Sequence, residues 1–213
     1  MKEDSPYEEK YSRKEYYWGK ESSGMCDRII DLFQMEDEAS LKLLDIGCGE
    51  GRNTVYFAKN KFDVIGLDIS KAGLEKTRRY ANDVGVHVKT IHADILTYEL
   101  RDTYDVIFST GTLHYLPPQW RKKRFQNYKE CTAPRGINAF SVFVDKPFLS
   151  KAPDAEDTAY SYKSGELMSY YWDWEILYCT EEIFDCMSSG IPHKHAVNRV
   201  IARRWKESPP TRV

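Results

Sequence analysis

The segment Leu43-Leu44-Asp45-Ile46-Gly47-Cys48-Gly49-Glu50-Gly51 narrows the folds open to this chain more than any other stretch. Leu41-Lys42-Leu43-Leu44-Asp45-Ile46 is an apolar run of buried-strand type, and it runs straight into three glycines at alternate positions. Helical character follows from Thr54 to Lys59, where Val55, Phe57 and Ala58 are apolar. Strand, glycine turn, helix is the first half of a parallel βαβ unit. Glycines let the backbone approach a ligand that any side chain would block. A helix that begins around Arg52 aims its N–H groups and positive dipole end at the same spot.

The rhythm repeats downstream. Phe62-Asp63-Val64-Ile65-Gly66-Leu67 is a second strand ending at Asp68, and Ser70 is a good N-cap for a helix reaching roughly Asn82. Val86 to Ile91 alternates as a third strand and stops at Ala93-Asp94. Tyr104 to Ser109 is a fourth, followed by a turn at Thr110-Gly111-Thr112. Pro117 and Pro118 open a basic helix to Glu130, and Ile137 to Val144 alternates as a fifth strand. This alternation predicts a parallel sheet covered on both faces. Ahead of it, Met25, Ile29, Ile30 and Phe33 recur at helical spacing between Gly24 and Phe33. Residues 1–10 read as frayed, and Glu36 to Ser40 as a polar break.

Past Asp145 the pattern changes. Residues 146–163 show no periodicity and contain Pro147 and Pro153, the signature of a lid or binding loop. Ser164 to Tyr171 forms a short helix. Trp174 to Thr180 and Ala196 to Ala202 read as closing strands joined through Ser188-Ser189-Gly190. The reading is a single domain over 1–213: a helical cover segment (1–40), a cofactor-binding core (41–144), and a substrate loop with closing strands (145–213).

The glycine spacing separates possible ligands. A dinucleotide fingerprint is G-x-G-x-x-G, whereas here Asp45 precedes a G-x-G-x-G run by one intervening residue. An acid ahead of the turn repels a pyrophosphate but accepts a hydrogen bond from an ammonium group. A ligand with both ammonium and carboxylate is an amino acid, and the methionine end of S-adenosylmethionine supplies both. Asp68, 23 positions after Asp45, is placed to accept from both ribose hydroxyls. Asp94 can accept from the adenine amine while Ile95 packs on the ring.

With these elements in order, the sequence resembles the class I S-adenosylmethionine-dependent methyltransferases from Leu41 to Val144. The resemblance includes Leu113-His114-Tyr115-Leu116 after the fourth strand. The flanks are similar to the tellurite-resistance methyltransferase (TehB-like) subgroup: Tyr16-Tyr17-Trp18-Gly19-Lys20 before the core, and Ser164-Gly165-Glu166-Leu167 to Trp174-Glu175-Ile176 and Pro192-His193-Lys194-His195 to Ile201-Ala202-Arg203 after it. The resemblance implies a Rossmann-like class I methyltransferase sandwich of the α/β class, with a mostly parallel seven-stranded sheet and an antiparallel last strand. It implies S-adenosyl-L-methionine as cofactor, held by Trp18, Asp45, Gly47, Gly49, Arg52, Asn53, Asp68, Ile69, Ser70, Asp94, Ile95 and Ser109. His114, His193 and Arg199 are the candidate catalytic residues, and Tyr17, Tyr171 and His195 the candidate substrate pocket.

The expected reaction is methyl transfer to a small soft or anionic nucleophile, such as a tellurium or selenium oxyanion or a thiol-like acceptor. The alternatives are an oxygen or nitrogen acceptor on a small metabolite, for which His114 would be the first candidate base, and a non-catalytic S-adenosylmethionine-binding module. A nicotinamide-dependent oxidoreductase is disfavoured by the glycine spacing and Asp45.

Composition narrows the partners. Thirty-one Lys+Arg against 33 Asp+Glu leave a formal charge of −2, too little basic surface for bulk nucleic-acid or membrane-surface binding. The first twenty residues lack a signal-peptide core, and no apolar run reaches the roughly 20 residues that span a bilayer. The cysteines, Cys26, Cys48, Cys131, Cys179 and Cys186, are odd in number and form no C-x-x-C pair, so neither a disulfide framework nor a metal site is expected. These features point to a cytoplasmic monomer or homodimer acting on a small molecule, with no nucleic-acid or membrane partner. Lys122, Lys123 and Arg124 read as a solvated helix face. Twelve of the twenty Tyr and Trp residues cluster in 7–18 and 160–178, the two flanks of the core. The expectation is that parts of both line one small closed pocket.

Overall fold

The computed structural model describes residues 7–33, 40–153, 159–187 and 190–205. The first six residues, 36–39 of the polar break, the middle of the 146–163 segment and Ser188-Ser189 lie outside the described residues. The strands form a seven-stranded sheet of order β3-β2-β1-β4-β5-β7-β6. The chain divides into two compact units, Met1–Glu99 with Val106–Ser109, and Leu100–Asp105 with Thr110–Val213. Among the described residues, no helix is long and apolar enough to cross a membrane.

In the first unit, α1 (Glu8–Tyr11) and α2 (Gly24–Phe33) precede β1 (Lys42–Ile46), α3 (Arg52–Lys59), β2 (Asp63–Asp68), α4 (Lys71–Asp83) and β3 (Lys89–His92). Strand β1 pairs in parallel with β2 and with β4 (Tyr104–Thr110), and β2 pairs in parallel with β3. Leu43, Leu44, Val64, Val106, Ile107 and Phe108 are buried, as a sheet covered on both faces requires. Phe57 of α3 packs edge-on against Phe62 and Phe108.

Two expectations shift here. Residues 8–11 are a helical turn rather than frayed chain, because the Glu8 carboxylate accepts from the Ser70 hydroxyl (2.5 Å) and the Ala72 N–H (3.1 Å) at the start of α4. The third strand begins at Lys89 rather than Val86. The Val86 N–H bonds to the carbonyl of Ala81, closing the end of α4, and Val88 packs with Val55 and Ala81.

In the second unit, a 3-10 turn (Leu113–Tyr115) leads to α5 (Pro118–Glu130), β5 (Thr132–Val144), α6 (Glu166–Ser169), β6 (Glu175–Cys186) and β7 (His193–Arg203). Strand β7 runs antiparallel to both β5 and β6, so the last strand is the reversed one, as expected. Alternation along β5 sorts its side chains between two faces. Phe140 meets Phe125, Tyr128 and Tyr171 on one face. Phe143, of opposite parity, meets His114 and His195 on the other.

Helix α5 overturns the solvated reading of its basic run. Lys122 and Lys123 are exposed, but Arg124 is buried and Arg121 is 1 % exposed. The Arg121 guanidinium lies 3.6 Å over the Tyr162 ring and donates to Leu116 O, Tyr160 O, Ser161 O and the Glu166 carboxylate. One buried cation thus anchors the C-terminal end of the aperiodic segment, where Val144 and Tyr162 also form a parallel bridge.

Candidate active site

In the first unit the glycine turn crosses the carboxyl ends of β1 and β2. The N–H groups of Gly47 and Cys48 both donate to Leu67 O, at 2.7 and 3.0 Å. Gly47, Gly49 and Gly51 all have positive φ. At Gly49 (φ +55) a Cβ would stand 2.9 Å from the Tyr11 hydroxyl, so the turn has room for backbone only.

Asp68 ends β2 and locks the turn. Its carboxylate accepts from the Gly49 N–H and the Ser70 N–H, both at 2.8 Å. Burial raises its pKa, and the N–H bonds of Ser70, Gly49 and Ile69 oppose that rise. Ser70 caps α4 by accepting from Gly73 N–H. A carboxylate offers about four acceptor positions, so one remains on Asp68 for a ligand hydroxyl.

Asp45 is buried at 1 % exposure, and it faces the N-terminus of α3. Its carboxyl accepts from Thr54 Oγ1 at 2.6 Å and from the Thr54 N–H. Burial pushes its pKa up to about 7, with the charge of Asp68 adding to the rise and Arg52 opposing it. Two buried acids, with the charge of Asp68 disfavouring ionisation of Asp45, suit a cationic ligand, as an ammonium and a sulfonium are.

This arrangement carries a pH dependence. Asp45 holds its proton more tightly in the fold than in the unfolded chain, so its contribution is complete below about pH 4. It is lost as pH rises through about 7. Asp45→Asn keeps an acceptor for Thr54 and removes the ionisation. The variant is expected to outlast the wild type in thermal melts at pH 8 by an amount of order 2–4 kcal/mol, with little difference at pH 4, while binding a cationic ligand more weakly.

Other expected cofactor residues have structural bonds. Asn53 Oδ1 accepts from Ser23 N–H (2.9 Å) and so fixes the entry to α2. Ser109, fully buried, donates to Ile46 O (2.7 Å) and ties β4 to β1. Asp94 accepts from Leu96 N–H (2.8 Å) in a tight turn that Ile95 sits inside. Arg52 opens α3, and Ile69 is half-buried between Asp68 and Ser70.

The N-terminal aromatics lie on this turn. Tyr11 is buried against Gly49 and Gly73. Trp18 donates its indole N–H to the Tyr11 hydroxyl (3.2 Å) and stacks edge-on with Tyr17. Beneath them is a pair that no local pattern announces. Lys76 Nζ lies 2.7 Å from Glu50 Oε1, with both side chains at most 5 % exposed. Lys76 also donates to Glu15 O, and Glu50 accepts the Trp18 N–H. The ion pair thus binds the glycine turn, α4 and the aromatic segment together.

In the second unit, His114 is buried against Tyr115 and Phe143, and its Nδ1 has no hydrogen-bond partner. Burial lowers its pKa to about 4, aided by Arg121 and His195, so the imidazole is neutral at physiological pH. His195 sits between Phe143 and Phe184 and within 2.9 Å of His193, ring nitrogen to ring nitrogen. Arg199, on the same face of β7 by alternation, is ion-paired with Glu182 of β6.

Tyr171 departs from its expected place in the substrate pocket. It is fully buried among Phe125, Phe140 and Trp174, its hydroxyl bonded to Asn138 Oδ1 (3.0 Å), and it is core. Trp172, by contrast, is 84 % exposed. Within the second aromatic cluster, Tyr162 and Tyr171 are therefore core, while Tyr160 and Trp172 are exposed.

The sheet order, with its reversed last strand and an acid-lined glycine turn after β1, defines a Rossmann-like sandwich of the class I methyltransferase kind. The family model of tellurite resistance protein TehB matches residues 9–193, and the chain belongs to that family. A probable S-adenosyl-L-methionine-dependent methyltransferase TehB from Haemophilus influenzae is 25 % identical over 175 residues, covering 81 % of this chain and 59 % of the relative. The chain thus spans well under two thirds of the length of that relative. Among solved structures, TehB from Haemophilus influenzae superposes with a TM-score of 0.75 at 22 % identity, covering 96 % of this chain and 68 % of the other. Magnesium protoporphyrin IX methyltransferase from Synechocystis with bound SAM gives a TM-score of 0.65 at 14 % identity, covering 96 % and 98 %.

Proposed function

We propose that the chain binds S-adenosyl-L-methionine and transfers its methyl group to a small soft or anionic nucleophile. The observation that carries this reading is the buried Asp68 carboxylate bonded to Gly49 N–H at the mouth of a glycine turn that admits no side chain. Family membership and the names of the relatives support it. Asp68 would hold the ribose, Asp45 would supply negative charge toward the ammonium group, and Asp94 with Ile95 would receive the adenine. The aromatic faces of Tyr17 and Trp18 suit a sulfonium.

When bound, the cofactor supplies an activated methyl group. The chain's own work is to align the acceptor and exclude water. A tellurium, selenium or sulfur nucleophile needs little help from a base, and Arg199 and His193 would serve such an acceptor through charge and hydrogen bonding. His114 favours a second reading, transfer to oxygen or nitrogen, because its unpartnered Nδ1 could take a proton from the acceptor.

Calorimetry tests the first step. S-adenosylmethionine is expected to bind the wild type, and Asp68→Ala to weaken it by at least roughly tenfold, since hydrogen bonds to a charged group are worth about 1.5–3 kcal/mol. Undiminished binding by the variant would remove the cofactor reading. Formation of S-adenosylhomocysteine with a panel of chalcogen, thiol, hydroxyl and amine acceptors separates the two transfer readings. Loss of turnover on hydroxyl acceptors alone in His114→Gln is the mark of a base.

A further inference from the structure

Sequence spacing around the cysteines offers no metal motif, but strand pairing creates one. In the β6–β7 hairpin, Cys186 stands directly opposite His193 in an antiparallel register. Directly opposed residues project to the same face, as do residues two apart on one strand. Cys186, His193 and His195 therefore share one face at one end of the hairpin. The Cys186 Sγ and one ring nitrogen from each histidine lie within 4.8 Å of one another, and the His193 and His195 Nε2 atoms are 2.9 Å apart.

The tautomer of His193 is set from outside the cluster. Its Nδ1 is 2.8 Å from Ile191 O, and because a carbonyl only accepts, Nδ1 carries the proton. The Nε2 lone pair then points toward His195. An imidazole whose far nitrogen donates to a backbone carbonyl is the usual state of a metal-bound histidine. All three residues are half-buried, within reach of solvent yet walled by Phe143 and Phe184 around His195.

We propose that Cys186, His193 and His195 form a three-ligand site for a divalent transition ion of the zinc type, with the fourth position open. Tetrahedral coordination with bonds of about 2.0–2.3 Å places neighbouring donors roughly 3.3–3.8 Å apart, so closure on an ion needs only small side-chain rotations. On binding, the Cys186 thiol gives up its proton to solvent, and His195 moves its own from Nε2 to Nδ1 through solvent exchange. The inference does not rest on methyl transfer, and its test is independent of turnover.

The test is titration of the metal-free protein with Co²⁺, followed by absorption. The expected result is one ion per chain, with the intense visible bands of a tetrahedral site and a near-ultraviolet sulfur-to-cobalt charge-transfer band, both abolished by excess Zn²⁺. Cys186→Ser is expected to lose the charge-transfer band. His193→Gln is expected to weaken binding at least roughly tenfold, since even outer partners of metal ligands are worth that much. Cys179→Ser, altering an exposed cysteine on the same strand, should change neither. Far-ultraviolet circular dichroism and thermal melts confirm that each variant is folded. Absence of stoichiometric binding, or a charge-transfer band that persists in Cys186→Ser or vanishes in Cys179→Ser, would overturn the proposal.

Discussion

Lys76→Met is expected to lower stability by about 3–5 kcal/mol, because it strands the Glu50 carboxylate in the interior without its partner. For a chain of this size that corresponds to a fall in melting temperature of roughly 10 °C. The pair is 2.7 Å long and almost wholly shielded from water, so salt has little access to it. Differential scanning calorimetry checks the loss. The double variant Glu50→Gln with Lys76→Met should recover part of it, since removing both charges also removes the cost of burying them. Because Lys76 also holds Glu15 O, and Glu50 the Trp18 N–H, hydrogen exchange at Trp18 should accelerate in the single variant well beyond the rest of the first unit. A single-variant loss below about 1 kcal/mol would class the pair with ordinary surface bridges.

Arg121→Met should be comparably damaging, at about 3–5 kcal/mol, for the same reason of uncompensated burial. Here the orphaned groups are the carbonyls of Leu116, Tyr160 and Ser161 together with the Glu166 carboxylate. Glu166 meets opposing influences: burial would raise its pKa, but bonds from Lys163 N–H, Arg121 and Tyr170 prevail and hold it low. The predicted signature is faster amide exchange at Tyr160 and Tyr162, whose N–H groups bond to His114 O and Phe143 O. Arg121→Lys should rescue little, because an ammonium cannot span four acceptors in the plane of a guanidinium or stack on Tyr162. Full rescue by lysine would show that charge alone, not the fork, anchors the segment.

The parts legible in the sequence were those written in local patterns. The run from Leu43 to Gly51 announces strand and turn within nine residues, with α3 opening at Arg52, and Asp45 next to the end of β1 and Asp68 at the end of β2 lie where strand periodicity puts them. What stayed hidden depends on partners distant along the chain. Lys76 looks like any lysine of an amphipathic helix, and its partner is 26 residues earlier. Asn53 reads as a residue facing a ligand, yet its acceptor is taken by Ser23, 30 residues away.

Arg121 could have been found. In Arg121-Lys122-Lys123-Arg124 the two arginines are three apart, in phase with Phe125 and Tyr128, and that phase separates buried cations from solvated ones. Tyr171 was misplaced because an aromatic next to exposed Trp172 carries no mark of which face it occupies. The Cys186–His193 pairing depends on hairpin register, which spacing alone does not specify.

Among the described residues, strand β6 ends the sheet order, and its twelve residues have no strand partner on their outer side, an edge of the kind to which another chain can add itself. The composition of that edge works against such an addition. Glu181, Glu182 and Asp185 sit along it, each drawn to a cation of its own unit: Lys146, Arg199 and Lys194. The register also slips between Ile176 and Tyr178, so the edge is not a regular template. A second copy approaching with the same edge would have to accommodate these ion pairs in its own register. The charge pattern of this edge thus disfavours edge-to-edge pairing with a second copy in that register.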